Sequence, residues 1–133
     1  MTLRYHEAGA GKPLVMLPGW SQSAAEFKYQ VGPLAKNRHV IALDMRGHGE
    51  SDKPKSGYRI SRLAADLREV LIALDLHDVD LLGHSMGCSV SWCYLDLFGA
   101  ERLSRLILVD EAAAVTGNPS WPQAEREALD CLF

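Results

Sequence analysis

The chain has little of what marks a disulfide or zinc scaffold. Its three cysteines fall at positions 88, 93 and 131, an odd number with no C-x-x-C pair and no histidine cluster beside them, which excludes a paired framework and a zinc ribbon. Cys88 and Cys93 read instead as helix-packing residues, because small apolar thiols favour cores. A block of like charge is also missing. Fourteen Lys and Arg against 17 Asp and Glu give a net charge of -3 with the signs interspersed, which argues against a nucleic-acid or membrane-surface partner and leaves a small molecule. No apolar run approaches the length needed to cross a bilayer. Near the N-terminus only residues 14–17 are continuously apolar, too short for the core of a secretory signal, so the expected location is the cytoplasm. Finally, no histidine follows His84.

What is present is an alternation. The 133 residues are 47% hydrophobic and 23% charged, the balance of one domain around one core. Short runs at 2–8, 13–17, 39–43, 79–82 and 106–109, bounded by glycine, proline and acidic turns, predict strands. Helical spacing appears at 24–36 through Phe27, Val31, Leu34 and Ala35, weakened by Gly32 and Pro33. The clearest helix carries Leu63, Leu67, Val70, Leu71 and Leu74 on one face, with Ser61 as its expected N-cap. A further helix is predicted at 86–98 with Gly99 beyond its end. Strand and helix alternate with short loops, which predicts an α/β fold: a mostly parallel sheet with helices on both faces. In such sheets ligands bind beyond the carboxyl ends of the strands. The loops after Leu17, Leu43, Leu82 and Val109 all fall there. Beyond Asp110 the pattern changes to a polar stretch with a possible short helix at 123–132, so residues 1–110 form the core and 111–133 the expected start of a lid.

At one strand end stands Gly83-His84-Ser85-Met86-Gly87. A serine hydroxyl is a weak nucleophile unaided. A sharp strand-to-helix turn, however, lifts its Oγ to a helix N-terminus, where backbone N–H groups favour developing negative charge. The pattern is G-x-S-x-G in its required context. Pro18-Gly19-Trp20-Ser21 follows the strand ending at Leu17, where an acyl-transfer site needs a second N–H donor. The glycine-punctuated loop from Asp44 to Asp52 follows the next strand.

These three segments, in this order, resemble the α/β-hydrolase family over residues 2–110, with Pro18-Gly19 in place of the more usual His-Gly. The resemblance implies that Ser85 is the nucleophile and that the backbone N–H groups of Trp20 and Met86 form the oxyanion hole. It implies no cofactor and no metal; Asp44, Glu50 and Asp52 are read as solvated loop carboxylates. Epoxide hydrolases and haloalkane dehalogenases of this fold place aspartate at the elbow, so Ser85 points to an ester, lactone or related acyl substrate. His84 is expected to pack away from Oγ, His48 to hydrogen-bond within its loop, and His6, His39 and His77 to lack a functional partner.

The family's triad runs Ser, acid, His along the chain. Asp110 is the candidate acid. The histidine is missing, so the chain reads as a truncated α/β-hydrolase fold, inactive by itself. Two alternatives stand beside the serine hydrolase: a cofactor-independent dioxygenase of the same fold, and a non-catalytic module that keeps the fold. The apolar outer edge of the strand at 106–109 is expected to invite self-association.

Overall fold

A computed structural model describes residues 1–111, 120, 122 and 123. Five strands form one sheet: β1 (Arg4–Ala8), β2 (Lys12–Leu17), β3 (Arg38–Asp44), β4 (Val79–His84) and β5 (Leu103–Val109). Their order across the sheet is β1-β3-β2-β4-β5. All neighbours are parallel except β1, which runs antiparallel along β3 with Arg4 opposite Asp44. The mostly parallel sheet expected from the alternation is therefore present. The expected helix at 123–132 falls outside the described residues apart from Gln123, as does most of the expected lid.

The two-residue period of a strand divides the central strands between two cores. Val15, Leu17, Ile41, Leu43, Val79 and Leu81 face one side. There they meet α2 (Ile60–Ala73) and α3 (Met86–Phe98), which contribute Leu63, Leu67, Leu71, Val90 and Tyr94. Leu14, Met16, Val40 and Ala42 face the other side and meet Ala24 and Phe27. Full burial of a side chain such as Leu67 or Leu71 stabilises the fold by about 1.5–3 kcal/mol.

Two local expectations are corrected. The segment at 24–36 is not one helix: a 3-10 turn, Ala24–Phe27, leads into α1 (Lys28–Leu34), which carries Pro33 inside it. Ser23 caps the 3-10 turn, accepting from the Ala25 N–H. Ser61 is not the N-cap of α2, because the helix begins at Ile60, two residues earlier than a cap at Ser61 would place it. Arg59 holds the cap position in extended backbone and gives no side-chain bond. At the other end of α3, Gly99 takes φ +68 and its N–H returns to the Leu95 carbonyl, as its position predicts.

The amino ends of the strands carry an ion cluster. Buried Asp80 on β4 meets Lys12 at 3.0 Å and Arg38 more closely still. Burial pushes the Asp80 carboxyl up, but the bonds from Arg38 and Lys12 outweigh it and hold it below the ordinary aspartate value. Opposite, the buried Arg46 guanidinium grips Asp66 of α2 through two bonds of 2.7 and 2.9 Å, tying the loop after β3 to the helix that follows it.

Candidate active site

β4 ends at His84, and the chain turns into α3 within one residue, Ser85, at φ 48 and ψ −120. This backbone conformation is rare for a residue with a Cβ and costs about 1–3 kcal/mol. The surroundings enforce it. Ser85 N–H donates to the Val109 carbonyl at 2.9 Å, and the Ser85 carbonyl accepts from Cys88 N–H at 2.7 Å. The turn also needs close backbone approach: a Cβ on Gly83 would stand 2.5 Å from the Gly87 carbonyl, and one on Gly87 2.4 Å from the Leu17 oxygen. Met86 is the first residue of α3, so its N–H lacks an intrahelical acceptor and lies at the positive end of the helix dipole.

The loop after β2 lies against this turn. A Cβ on Gly19 would fall 3.3 Å from Ser85 Cβ and 3.4 Å from His84 Nδ1. Two of the loop's amides are committed to side chains. Gly19 N–H donates to Glu26 Oε2 at 3.2 Å, and Ser21 N–H donates to His48 Nε2 at 3.1 Å. Trp20 sits between them, its indole half exposed and edge-on to the His48 ring. A cavity of 530 Å³ opens beside it, lined by Trp20, Ser21, Gly47, His48, Tyr58 and Met86 among others.

The structure thus brings Ser85, Met86 and the Trp20 loop together. Asp110 follows the strand end that holds Ser85 N–H; it is exposed, at φ 56. The histidines are otherwise engaged. His48 Nδ1 lies 2.8 Å from the Arg46 carbonyl, so it carries the proton, and Nε2 is the acceptor for Ser21: a loop hydrogen-bonder, as its position predicts. His39 pairs with Glu7 at 2.6 Å, His77 with Asp75 at 3.1 Å, and His6 lies on β1 opposite Ala42. Cys88 Sγ lies 3.0 Å from the Gly83 carbonyl. Burial pushes this thiol up, so it does not rival Ser85 as a nucleophile.

Two sequence readings change. Asp44 is buried rather than solvated, its carboxylate accepting from Ala24 N–H at 2.7 Å and Glu50 N–H at 2.8 Å. Gly49 (φ +50) is required beside it, since a Cβ there would be 2.2 Å from the carboxyl group. His84 is not a packing residue only: its Nδ1 meets Glu26 Oε1 at 2.5 Å. Glu26 is absent from the sequence-derived candidates. Its one signal is its place three residues after Ser23, the spacing of a capping box, yet the carboxylate turns to Gly19 and His84 instead of the Ser23 amide. Among the described residues no group of three or more His, Cys, Asp or Glu could hold a metal ion, and no helix is long and apolar enough to cross a membrane.

The sequence matches the family described as alpha/beta hydrolase fold over residues 12–130. It is 38% identical over 108 residues to a soluble epoxide hydrolase of Corynebacterium sp. (strain C12), covering 81% of this chain and 37% of that one. Among solved structures, an esterase from Exiguobacterium antarcticum superposes with a TM-score of 0.84 at 38% identity, over 90% of this chain and 46% of that one. A bromoperoxidase from Bacillus anthracis gives 0.88 at 29%, over 95% and 48%. The chain spans less than half the length of these relatives.

Proposed function

The chain belongs to the α/β-hydrolase family, and on that premise we propose that it is a serine hydrolase acting on an ester, lactone or related acyl substrate, with Ser85 as its nucleophile. The observation that carries the reading is the strained backbone of Ser85 at the head of α3, with Gly19 so near that a Cβ on it would fall 3.3 Å from Ser85 Cβ. A serine in place of the elbow aspartate favours acyl transfer over epoxide opening. Attack of Oγ on the acyl carbon moves a pair of electrons onto the carbonyl oxygen. The N–H groups of Trp20 and Met86 receive that charge, in the manner that makes an oxyanion hole effective. Collapse expels the alcohol, and water then releases the acid from Ser85.

The attack needs a base for the Oγ proton, and Asp110 is the proposed acid that would orient it. None of the five histidines is arranged to be that base: both ring nitrogens of His48 are used within its loop, His84 has its Nδ1 against Glu26, His39 pairs with Glu7 at the amino end of β3, His77 precedes β4 and pairs with Asp75, and His6 lies on β1 opposite Ala42. Free imidazole in solution can therefore stand in for that base. The test is modification by a fluorophosphonate with free imidazole as external base. Ser85 should be the one labelled serine, at a rate that rises with imidazole. Labelling that persists unchanged in Ser85→Ala refutes the assignment.

A further inference from the structure

We infer that Glu26 is a positioning residue, one that locks the loop after β2 so that the Trp20 amide is the donor left to face the oxyanion; this rests on the serine-hydrolase reading. The tie has two arms. Glu26 Oε2 accepts from Gly19 N–H at 3.2 Å, and Glu26 Oε1 meets Nδ1 of His84, the residue before the nucleophile, at 2.5 Å. One carboxylate therefore joins the donor loop to the nucleophile turn, across a gap so narrow that a Cβ on Gly19 would fall 3.3 Å from Ser85 Cβ.

The anchor of that carboxylate is itself fixed. Glu26 lies in the 3-10 turn Ala24–Phe27, and its own N–H donates to the Ser23 carbonyl at 2.9 Å. The turn's first amide, Ala24 N–H, is held by buried Asp44 at the end of β3. A continuous line of bonds thus runs from the sheet through Asp44, Ala24 and Glu26 to Gly19, and the same carboxylate stands in close contact with His84. His48 closes the other side by accepting from Ser21 N–H. The Trp20 N–H shares its peptide plane with the Gly19 carbonyl, which accepts from Gln22 N–H at 3.2 Å; with the planes on either side held through Gly19 N–H and Ser21 N–H, turning the Trp20 amide away breaks a bond. An oxyanion donor placed this way needs no reorganisation when charge develops, which is the source of its effect. Glu26 would act on the reaction through Gly19 and His84 without touching substrate.

The test compares Glu26→Ala and Glu26→Gln with the wild-type chain in two measurements. The first is amide hydrogen exchange at Gly19, with the core amide of Ile41 as reference. Loss of one hydrogen bond to a carboxylate should speed exchange at Gly19 on the order of tenfold in Glu26→Ala and leave Ile41 unchanged. Glu26→Gln, which keeps an oxygen acceptor, should stay near the wild-type rate. The second is imidazole-assisted fluorophosphonate labelling of Ser85, expected to slow on the order of tenfold in Glu26→Ala and to recover in Glu26→Gln. Gly19 exchange that is unchanged, or that accelerates together with Ile41, overturns the tie. Released Gly19 exchange with undiminished labelling overturns its role in positioning. Absence of Ser85 labelling in the wild type overturns the nucleophile assignment itself, whatever Gly19 does.

Discussion

Gly83 and Gly87 approach so closely across the turn at Ser85 that a Cβ on the first would lie 2.5 Å from the carbonyl of the second. Neither has a positive φ, so the requirement is for space and not for backbone freedom. Gly87→Ala should therefore destabilise the chain by about 1–3 kcal/mol, since the new methyl meets the Leu17 oxygen, fixed in the sheet, at 2.4 Å. Gly32→Ala is the contrast. It lies within α1 with nothing near its missing Cβ, and should stabilise by about 0.5–1 kcal/mol. Urea denaturation of both variants checks the pair; equal effects would contradict it.

The strain at Ser85 predicts a difference between two inactive variants. Its φ of 48 and ψ of −120 suit glycine far better than any residue with a Cβ. Ser85→Gly should match or exceed Ser85→Ala in stability by about 1 kcal/mol, although glycine ordinarily costs more unfolded-state entropy than alanine. Thermal unfolding of the two side by side decides it. A less stable glycine variant would mean that the turn carries no strain.

How much of this was legible in the sequence depends on range. Runs such as His39 to Leu43 revealed their strands because a residue buried on either face of a parallel sheet must be apolar, and the run itself records this. The G-x-S-x-G turn was legible for a related reason: its crowding is mostly local. Asp44 and Glu26 were not. Asp44 reaches back twenty residues to Ala24, and Glu26 reaches seven back to Gly19 and far forward to His84. Nothing in their own neighbourhoods distinguishes them from solvated carboxylates. Ser61 failed for the opposite reason: a good capping residue lost to Ile60, whose burial against the core draws the helix start two residues earlier, with Arg59 at the cap.

Acid should act through Asp80. Its carboxyl titrates below the ordinary aspartate value in the folded chain because Arg38 and Lys12 outweigh its burial. A depressed folded value contributes stability above the unfolded value, about 3.9, and loses it as pH falls through the folded one. Asp80→Asn should cost about 1–3 kcal/mol at pH 7. The gap to wild type should hold from pH 8 to 5 and shrink below about pH 4. A gap independent of pH in urea titrations would show that the ion cluster contributes nothing. Because Asp80 lies at the amino end of β4, Ser85 labelling should be unaffected.

The outer edge of β5 should make the chain associate with itself. Among the described residues β5 pairs only with β4, and Ile107, Leu108 and Val109 are 39–43% exposed. An unpaired apolar edge is a template for another strand, which a lysine blunts. Sizing chromatography across a concentration series should show oligomers that Leu108→Lys reduces. A wild-type monomer at every concentration would refute this.

The polypeptide of residues 1–133 should hydrolyse p-nitrophenyl acetate no faster than its Ser85→Ala variant. A general base must come within about 2.6–3.2 Å of the serine Oγ and offer a free lone pair. His48 is the rival to consider, because its loop faces the same cavity as Trp20 and Met86. Its two ring nitrogens are already used: Nδ1 donates to the Arg46 carbonyl at 2.8 Å, and Nε2 accepts from Ser21 N–H at 3.1 Å. To act as base it would have to release Ser21 and turn out of its loop, undoing one of the two bonds that frame Trp20. His84 has its Nδ1 against Glu26. What turnover remains should come from binding and the oxyanion donors, which persist without serine attack. Wild type, Ser85→Ala and His48→Ala should therefore give rates within experimental error of one another, and added imidazole should raise only the two that keep Ser85. A clear loss in both Ser85→Ala and His48→Ala without imidazole would show a working Ser85–His48 pair and overturn the requirement for an external base.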